Sequence, residues 1–394
     1  MKIAMIAPTH LPARRANTLQ VMKMAQAFTR LGHAVQLAIP ALPEPGEAVD
    51  WPALQHFYGL QVEFPLTWIR VNDRLHRYDY GWKSVSWARR QKAHLVYTRL
   101  PQAAALASWL GQATLLEIHE LPQSTTGKWL MRRFAGGRGA RRLVAISAHL
   151  LEGLERDFPS LSRPAAGRQD FTLVAPDGVD LDRYADLPDS AAARQWLAKG
   201  MEGESVHLAE NEFVAGYSGH FYPGRGMRLL LDLAKRLPDV RFLLLGGEPQ
   251  DVARLRAEAD ARQLDNLTIT GFVANADLPR YQAACDLLLM PYQRQVAGSS
   301  GGDIAGVFSP LKLFEYMACG RPILSSDLPA LREVLNQENA MLLPGDELQP
   351  WAQAIQDLQS QPERRARLAR RARQDSSRYS WENRAARILE GIKL

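Results

Sequence analysis

Cysteine is scarce in this chain of 394 residues: there are two, Cys285 and Cys319, both in apolar or helical settings. That excludes a disulfide-stapled scaffold. It points instead to buried free thiols in a reducing compartment. No Cys/His spacing suits a metal ion, and the sequence calls for no metal and no cofactor. No apolar run reaches the ~20 residues of a membrane span. The apolar start Met1–Pro8 is too short for a secretory leader and reads as a first buried strand, so a cytoplasmic protein is expected. Internal repeats and low-complexity tracts are missing too. Charge is only mildly one-sided: 48 Lys+Arg against 42 Asp+Glu leave a net +6. That balance suits an anionic ligand or an anionic membrane face. It lacks the dense basic surface of a nucleic-acid binder, and no nucleic-acid partner is expected.

What is present is repeated alternation. The length exceeds one ordinary core, so two domains are expected. Short apolar runs read as strands at 3–7, 34–39, 68–71, 95–97, 114–118, 143–146 and 173–175 in the first half. In the second half they fall at 213–217, 241–245, 267–270, 287–290, 323–325 and 341–343. Helical patterns separate them. Val21, Ala25 and Phe28 recur at helical spacing, for example, and Gly32 closes that segment. Strand–helix alternation implies parallel sheets covered on both faces, here two doubly wound α/β domains with ligands beyond the strands' carboxyl ends. A cleft between two such domains is the default site. The break is expected near Asp177–Asp182, where Asp-Gly signals a turn before a polar, poorly patterned stretch through Gly203. This gives a first domain 1–180 and a second 181–378. An apolar-periodic last helix, 379–394, follows, and pattern alone allows it to end the second domain.

One segment is richest in chemistry: Phe308-Ser-Pro-Leu-Lys-Leu-Phe-Glu315, continuing to Gly320-Arg-Pro322. Ser309 reads as an N-cap, Pro310 as the first helical residue and Gly320 as the stop. The free N–H groups at the start of such a helix attract phosphate. Glu315, about a turn and a half further in, can accept two hydrogen bonds from a sugar diol. Phosphate and diol together suggest a nucleotide-sugar. The segment resembles the donor-site motif of the family-four retaining glycosyltransferases of the GT-B fold. That motif carries a pair of glutamates. Glu315 matches the second, which in the family binds the nucleotide ribose. The first falls at Val307, a departure, because that glutamate normally contacts the transferred sugar.

Other segments extend the resemblance. Tyr217-Ser-Gly219-His-Phe-Tyr-Pro-Gly224-Arg225-Gly226 follows a strand and precedes a helix. It resembles the family loop in which a Gly, an Arg and a Lys bind the diphosphate. On that register Gly219 keeps its place, His220 replaces the Arg and Arg225 replaces the Lys. Backbone near Val273 corresponds to the nucleobase site. In the family the last helix crosses back onto the first domain, which implies the same for 379–394, with Trp381 as its anchor. Phe308, Ser309 and Leu311 line the helix entrance. Glu117-Ile-His119-Glu120 resembles the active-site histidine segment, with His119 hydrogen-bonding the donor sugar. Lys312 adds charge against the diphosphate or points to solvent, and the first is favoured. Two candidates could replace the missing carboxylate of position 307: Asp303, in the loop 298–306, and the backbone N–H groups of Gly306–Ser309, which are favoured because Phe308 and Ser309 lie at the helix entrance where such donors are free. Arg14 and Arg15 stand where relatives carry glycines; they face phosphates on the acceptor side or form a solvated pair. Lys128, Trp129, Arg132, Arg133, Phe134, Arg138, Arg141 and Arg142 suit either an anionic membrane surface or a plain exposed helix.

The resemblance implies a retaining, metal-independent hexosyltransferase. It would move a sugar from a nucleoside-diphosphate sugar to a hydroxyl of a glycan or lipid-linked acceptor, in bacterial-type glycan, lipopolysaccharide or glycolipid synthesis. The implied route is front-face, with the leaving phosphate accepting the acceptor's proton. His119 and Arg225 are its expected catalytic residues. Peripheral contact with the inner membrane face is compatible with it. The alternatives are a GT-B nucleotide-sugar epimerase, which would need an acid/base pair at the sugar, and a catalytically silent nucleotide-sugar-binding subunit.

Overall fold

The computed structural model describes residues 1–41, 50–72, 76–161, 170–199, 206–297 and 303–393. The chain divides into two compact units. One runs from Met1 to Asp177 and includes the C-terminal segment from Trp381; the other is Gly178–Ser380.

In the first unit the apolar runs become β1 Lys2–Ile6, β2 Ala34–Ala41, β3 Leu66–Arg70, β4 Leu95–Thr98, β5 Thr114–Ile118, β6 Ala140–Ala145 and β7 Thr172–Val174. They pair in parallel in the order β3-β2-β1-β4-β5-β6-β7. β4 and β5 are buried at every position, because helices cover both faces of the sheet. The helix Ala16–Arg30 buries Val21, Ala25 and Phe28, as the spacing predicts. It also packs against the C-terminal helix Trp381–Leu389, where Arg30 bonds Glu382 at 2.8 Å. Trp381 is buried there.

The second unit holds β8 Phe213–Ser218, β9 Val240–Leu245, β10 Leu267–Gly271, β11 Leu287–Met290, β12 Ile323–Ser326 and β13 Met341–Leu343. These form a parallel sheet in the order β10-β9-β8-β11-β12-β13. Strand order reverses between β1 and β4 in one sheet and between β8 and β11 in the other. Each reversal opens a crevice beyond the strands' carboxyl ends. Both loops that carry the basic donor-site candidates, after β8 and after β11, leave the second reversal.

The stretch after Asp182 departs from expectation. It is partly helical: a 3-10 turn Leu181–Tyr184, then a helix Ser190–Ala198 whose N-cap Asp189 accepts from the Ala192 N–H at 2.8 Å. Local capping and the good helix former alanine outweigh the weak apolar pattern there. The end of that stretch, 200–203, and positions 298–302 of the glycine-rich loop lie outside the described residues. Both cysteines are buried free thiols. No helix among the described residues is long and apolar enough to cross a membrane.

Candidate active site

The helix Leu311–Cys319 starts one residue later than the sequence suggests. Pro310 takes the extended N-cap conformation, its carbonyl accepts from the Leu313 N–H at 3.0 Å, and no side chain caps the helix. Ser309 therefore sits just before the helix and is not its cap. Gly320 ends it in the left-handed conformation, as expected. One expectation about the entrance fails outright. The N–H groups of Val307 and Phe308 both donate to the Ile304 carbonyl, at 3.0 and 3.1 Å, so Phe308 has none to offer a ligand. Its ring is buried and meets Tyr292 edge-on. Leu311, the first helical residue, is partly buried.

Lys312 is the least expected member. A lysine in a first helical turn reads as exposed, yet this one is buried. Its Nζ lies 3.6 Å from the centre of the Tyr217 ring and 5.5 Å from that of Tyr292. No hydrogen-bond acceptor among the described residues reaches it. Burial pushes its pKa well below the usual lysine value, and the nearby Arg225 adds to the effect. Gly219, with φ +136, makes the arrangement possible, since a Cβ there would stand 2.7 Å from the Lys312 Nζ.

Arg225 shares the same aromatic floor. Its guanidinium is 5.0 Å from the Tyr292 ring centre and donates to the Ala297 carbonyl at 3.4 Å, while its buried Nε has no partner among the described residues. His220 stacks on Tyr222 with ring centres 4.6 Å apart, and its Nδ1 lies 3.9 Å from a Glu248 carboxylate oxygen. Glu315 is buried and lies between two amides: Asn275 Nδ2 at 3.4 Å and Gln282 Nε2 at 3.5 Å. These are fixed in turn, Asn275 by Arg183 at 2.6 Å and Gln282 by the Tyr184 hydroxyl at 3.0 Å. Val273 packs against the unit's core.

His119 follows β5 in the first unit. Its Nε2 is 2.5 Å from Glu117 Oε1, which also accepts from Gln20 Nε2 at 2.5 Å. Glu117 Oε2 takes a bond from the Tyr97 hydroxyl and lies 3.0 Å from Arg384 NH2. Burial alone would raise the Glu117 pKa. Arg384, His119 and Arg99 outweigh it and hold the carboxyl well below its ordinary range. Burial lowers the His119 pKa to about 4, with Arg99 contributing. The imidazole is therefore neutral at pH 7. Since an ionised carboxylate only accepts, Nε2 carries the proton and Nδ1 presents a lone pair.

Arg14 and Arg15 are exposed on the loop before the helix Ala16–Arg30. Asp303 is engaged locally, its Oδ1 accepting from the Val296 and Ala305 N–H groups at 2.9 and 3.0 Å. The basic cluster splits. Phe134 is core and Arg142 is buried, donating to the Arg387 and Ile388 carbonyls at 3.1 and 2.8 Å, so neither belongs to an outer surface. Trp129, Arg132 and Arg133 are exposed, and Arg133 lies over the exposed Trp109 at 5.6 Å. Among the described residues no group of three His, Cys, Asp or Glu is placed to hold a metal ion.

Sequence reading missed Tyr217, Tyr292, Asn275, Gln282, Gln20, Arg99 and Arg384. Tyr217 opens a motif it did single out, and an aromatic beside a ligand loop was the available signal. The others act through partners remote in sequence and gave none.

Comparison with known proteins bears on this geometry. Residues 212–361 match the family described as Glycosyl transferases group 1, and residues 19–183 match Glycosyltransferase Family 4. The chain belongs to glycosyltransferase family 4, and its fold is GT-B. It is 29% identical over 259 residues to D-inositol 3-phosphate glycosyltransferase of Xylanimonas cellulosilytica, an alignment covering 64% of this chain and 58% of that protein. It is 26% identical over 399 residues to phosphatidyl-myo-inositol mannosyltransferase of Mycolicibacterium smegmatis, covering 99% of this chain and 92% of that one. The structure of Anabaena HepE in complex with UDP and glucose superposes with a TM-score of 0.71 at 20% identity, over 99% of this chain and 98% of that one. The chain spans less than two thirds of the inositol-phosphate relative's length, 58% of it.

Proposed function

We propose that this chain is a retaining glycosyltransferase moving a sugar from a nucleoside-diphosphate sugar to a hydroxyl of a glycan or lipid-linked acceptor, in bacterial-type glycan, lipopolysaccharide or glycolipid synthesis. The observation that carries this reading is a pair of buried basic nitrogens with no acceptor among the described residues, Lys312 Nζ and Arg225 Nε, over one tyrosine ring. A buried donor left unbonded costs about 1–3 kcal/mol, and two at one place ask for a ligand with several acceptor oxygens. A diphosphate supplies them, and the start of the helix Leu311–Cys319 adds favourable dipole. Glu315, held between Asn275 and Gln282, accepts from the ribose diol.

In the reaction the bond from the anomeric carbon to the diphosphate breaks and the acceptor oxygen bonds the same face of that carbon. The acceptor's proton passes to the departing phosphate oxygen. Arg225 and Lys312 stabilise the charge that collects there. Neutral His119 accepts a hydrogen bond from a donor-sugar hydroxyl through Nδ1. Val307 leaves the sugar without the family's usual carboxylate, which favours a second reading as a silent donor-binding subunit.

Acceptors bearing inositol or a lipid are the natural first trials, because the two curated relatives are named for them. Exposed Trp109, Trp129, Arg132 and Arg133 suit peripheral contact with an anionic membrane from the cytoplasmic side.

The test is a thermal-shift panel of UDP-, GDP- and ADP-sugars, then NMR of products made with the best donor. Release of the sugar with retained anomeric configuration is expected. Binding without transfer or donor hydrolysis would leave the silent subunit. Glu315→Ala should weaken the nucleoside diphosphate by about 1.5–3 kcal/mol in calorimetry, and unchanged affinity would remove Glu315 from the site.

A further inference from the structure

The C-terminal helix Trp381–Leu389 sends one long side chain into the first unit. Arg384 is buried, and every arm of its guanidinium is engaged. Its Nε donates to the Pro176 carbonyl at 2.9 Å and NH2 to the Ala175 carbonyl at 3.1 Å. NH2 also lies 3.0 Å from Glu117 Oε2, and NH1 contacts the Tyr97 hydroxyl at 3.5 Å. The other oxygen of Glu117 faces His119 at 2.5 Å. One fork thus ties the end of the chain, the segment after β7 and the carboxylate beneath the candidate histidine.

We propose that Arg384 is a positioning residue for His119: by keeping Glu117 ionised and oriented, it fixes the imidazole as the neutral Nε2–H tautomer with its Nδ1 lone pair toward substrate. This deepens the function proposed above and rests on His119 contacting the donor sugar.

The chemistry follows from who faces the pair. Gln20 from the helix Ala16–Arg30, Tyr97 from β4, Arg99 just beyond it, Asp177 after β7 and Arg384 from the last helix surround Glu117 and His119. Arg384 is the cation that contacts the carboxylate directly. With it in place, Glu117 is fully balanced and has no demand for a proton, so His119 shares its hydrogen without becoming charged. Without it, the buried carboxylate would keep Arg99 nearby but lose the cation in direct contact, and the cheapest neutralisation is imidazolium formation. Nδ1 would then carry a hydrogen, and the group presented to a sugar hydroxyl would change from acceptor to donor. The low His119 pKa is consistent with the balanced arrangement.

The experiment uses the full chain with 15N-labelled histidine. In the wild type, the His119 nitrogen shifts should report the neutral Nε2–H tautomer from pH 5.5 to 8. In Arg384→Met the His119 titration should move upward by more than one pH unit, and turnover should fall at least tenfold with donor KM changed less than threefold. Arg384→Lys, which keeps the charge but not the fork, should fall between. If Arg384→Met does not fold, Arg384→Met combined with Glu117→Gln removes both charges. Its histidine should then lose the fixed tautomer, showing averaged nitrogen shifts. An unchanged tautomer and titration in whichever variant folds would overturn the proposal and make Arg384 a purely structural tether. His119→Ala tests the underlying reading separately. Full transfer by that variant would remove His119 from catalysis, while the nitrogen shifts would still decide whether Arg384 positions it.

Discussion

Glu117 in the first unit and Lys312 in the second are both buried charged side chains. Glu117 receives Gln20, Tyr97, His119 and Arg384, so its charge is answered from within the protein. Lys312 rests on the Tyr217 ring and meets no acceptor among the described residues. The first arrangement is complete within the protein; under the proposed function, the second is completed by the donor's diphosphate. A satisfied cluster marks where geometry is fixed in advance, and an unsatisfied one marks where charge is to be received.

That contrast breaks most visibly at Glu117. Glu117→Leu leaves Arg384 buried opposite no carboxylate, and removing one partner of a buried pair costs about 3–5 kcal/mol. Urea denaturation of the whole chain should show the transition of the first unit shifted strongly to lower denaturant, with the second little changed. An unshifted midpoint would show that Arg384 is not held by Glu117 in solution.

The next largest effect belongs to the receiving side. Arg225→Ala should lower turnover by about a hundredfold, the scale seen when one donor to developing charge is removed. Ground-state donor affinity should fall less, because the charge it meets is greatest in the transition state. Equal losses in both would make Arg225 a binding residue. No loss in either would take the Gly219–Gly226 loop out of the site.

Lys312 should respond with the opposite sign to Glu117. Lys312→Met removes an ammonium that burial disfavours, so the ligand-free protein should gain about 1–2 kcal/mol while nucleoside-diphosphate affinity falls. The pH dependence follows the same logic. Its folded pKa is depressed, so between that value and the ordinary 10.5 the unfolded chain binds the extra proton. Stability therefore rises with pH across that window, and the variant should lose this slope. A destabilised variant with unchanged nucleotide affinity would make Lys312 structural and remove the main support for the diphosphate site.

The two clusters also differ in how far the sequence discloses them. All thirteen strand positions stand out as short apolar runs, most cleanly at central strands such as β4 and β5, which are buried on both faces and carry no polar alternation to blur them. Glu315 and the Gly219–Arg225 loop stand out because ligand loops need glycine and charge at fixed offsets. Burial of Lys312 does not, since residue type says exposed and only the Tyr217 and Tyr292 rings reverse that. Nor does Arg384, whose partner Glu117 lies in another part of the chain. The shift of the helix start from Pro310 to Leu311 is the same lesson on a small scale. Pro310 is acceptable at either position, and only the backbone conformation decides.

The smallest effect is expected at Asp303, and it sharpens what replaces the carboxylate missing at Val307. Asp303 Oδ1 already accepts from Val296 and Ala305, and those backbone bonds hold its pKa below the ordinary carboxylate value. An asparagine oxygen can accept the same two bonds. Asp303→Asn should therefore leave nucleotide-sugar affinity and transfer within about twofold, the range of an ordinary surface substitution. Val307→Glu, by contrast, places a new acceptor where the family has one and should change the preference among sugars on a single nucleotide. The N–H groups of Val307 and Phe308 cannot take that part, being bound to the Ile304 carbonyl. Side-by-side transfer assays of the two variants across several sugars decide the matter. Loss of transfer in Asp303→Asn with nucleotide affinity intact would make Asp303 the sugar contact and its backbone bonds a way of aiming it.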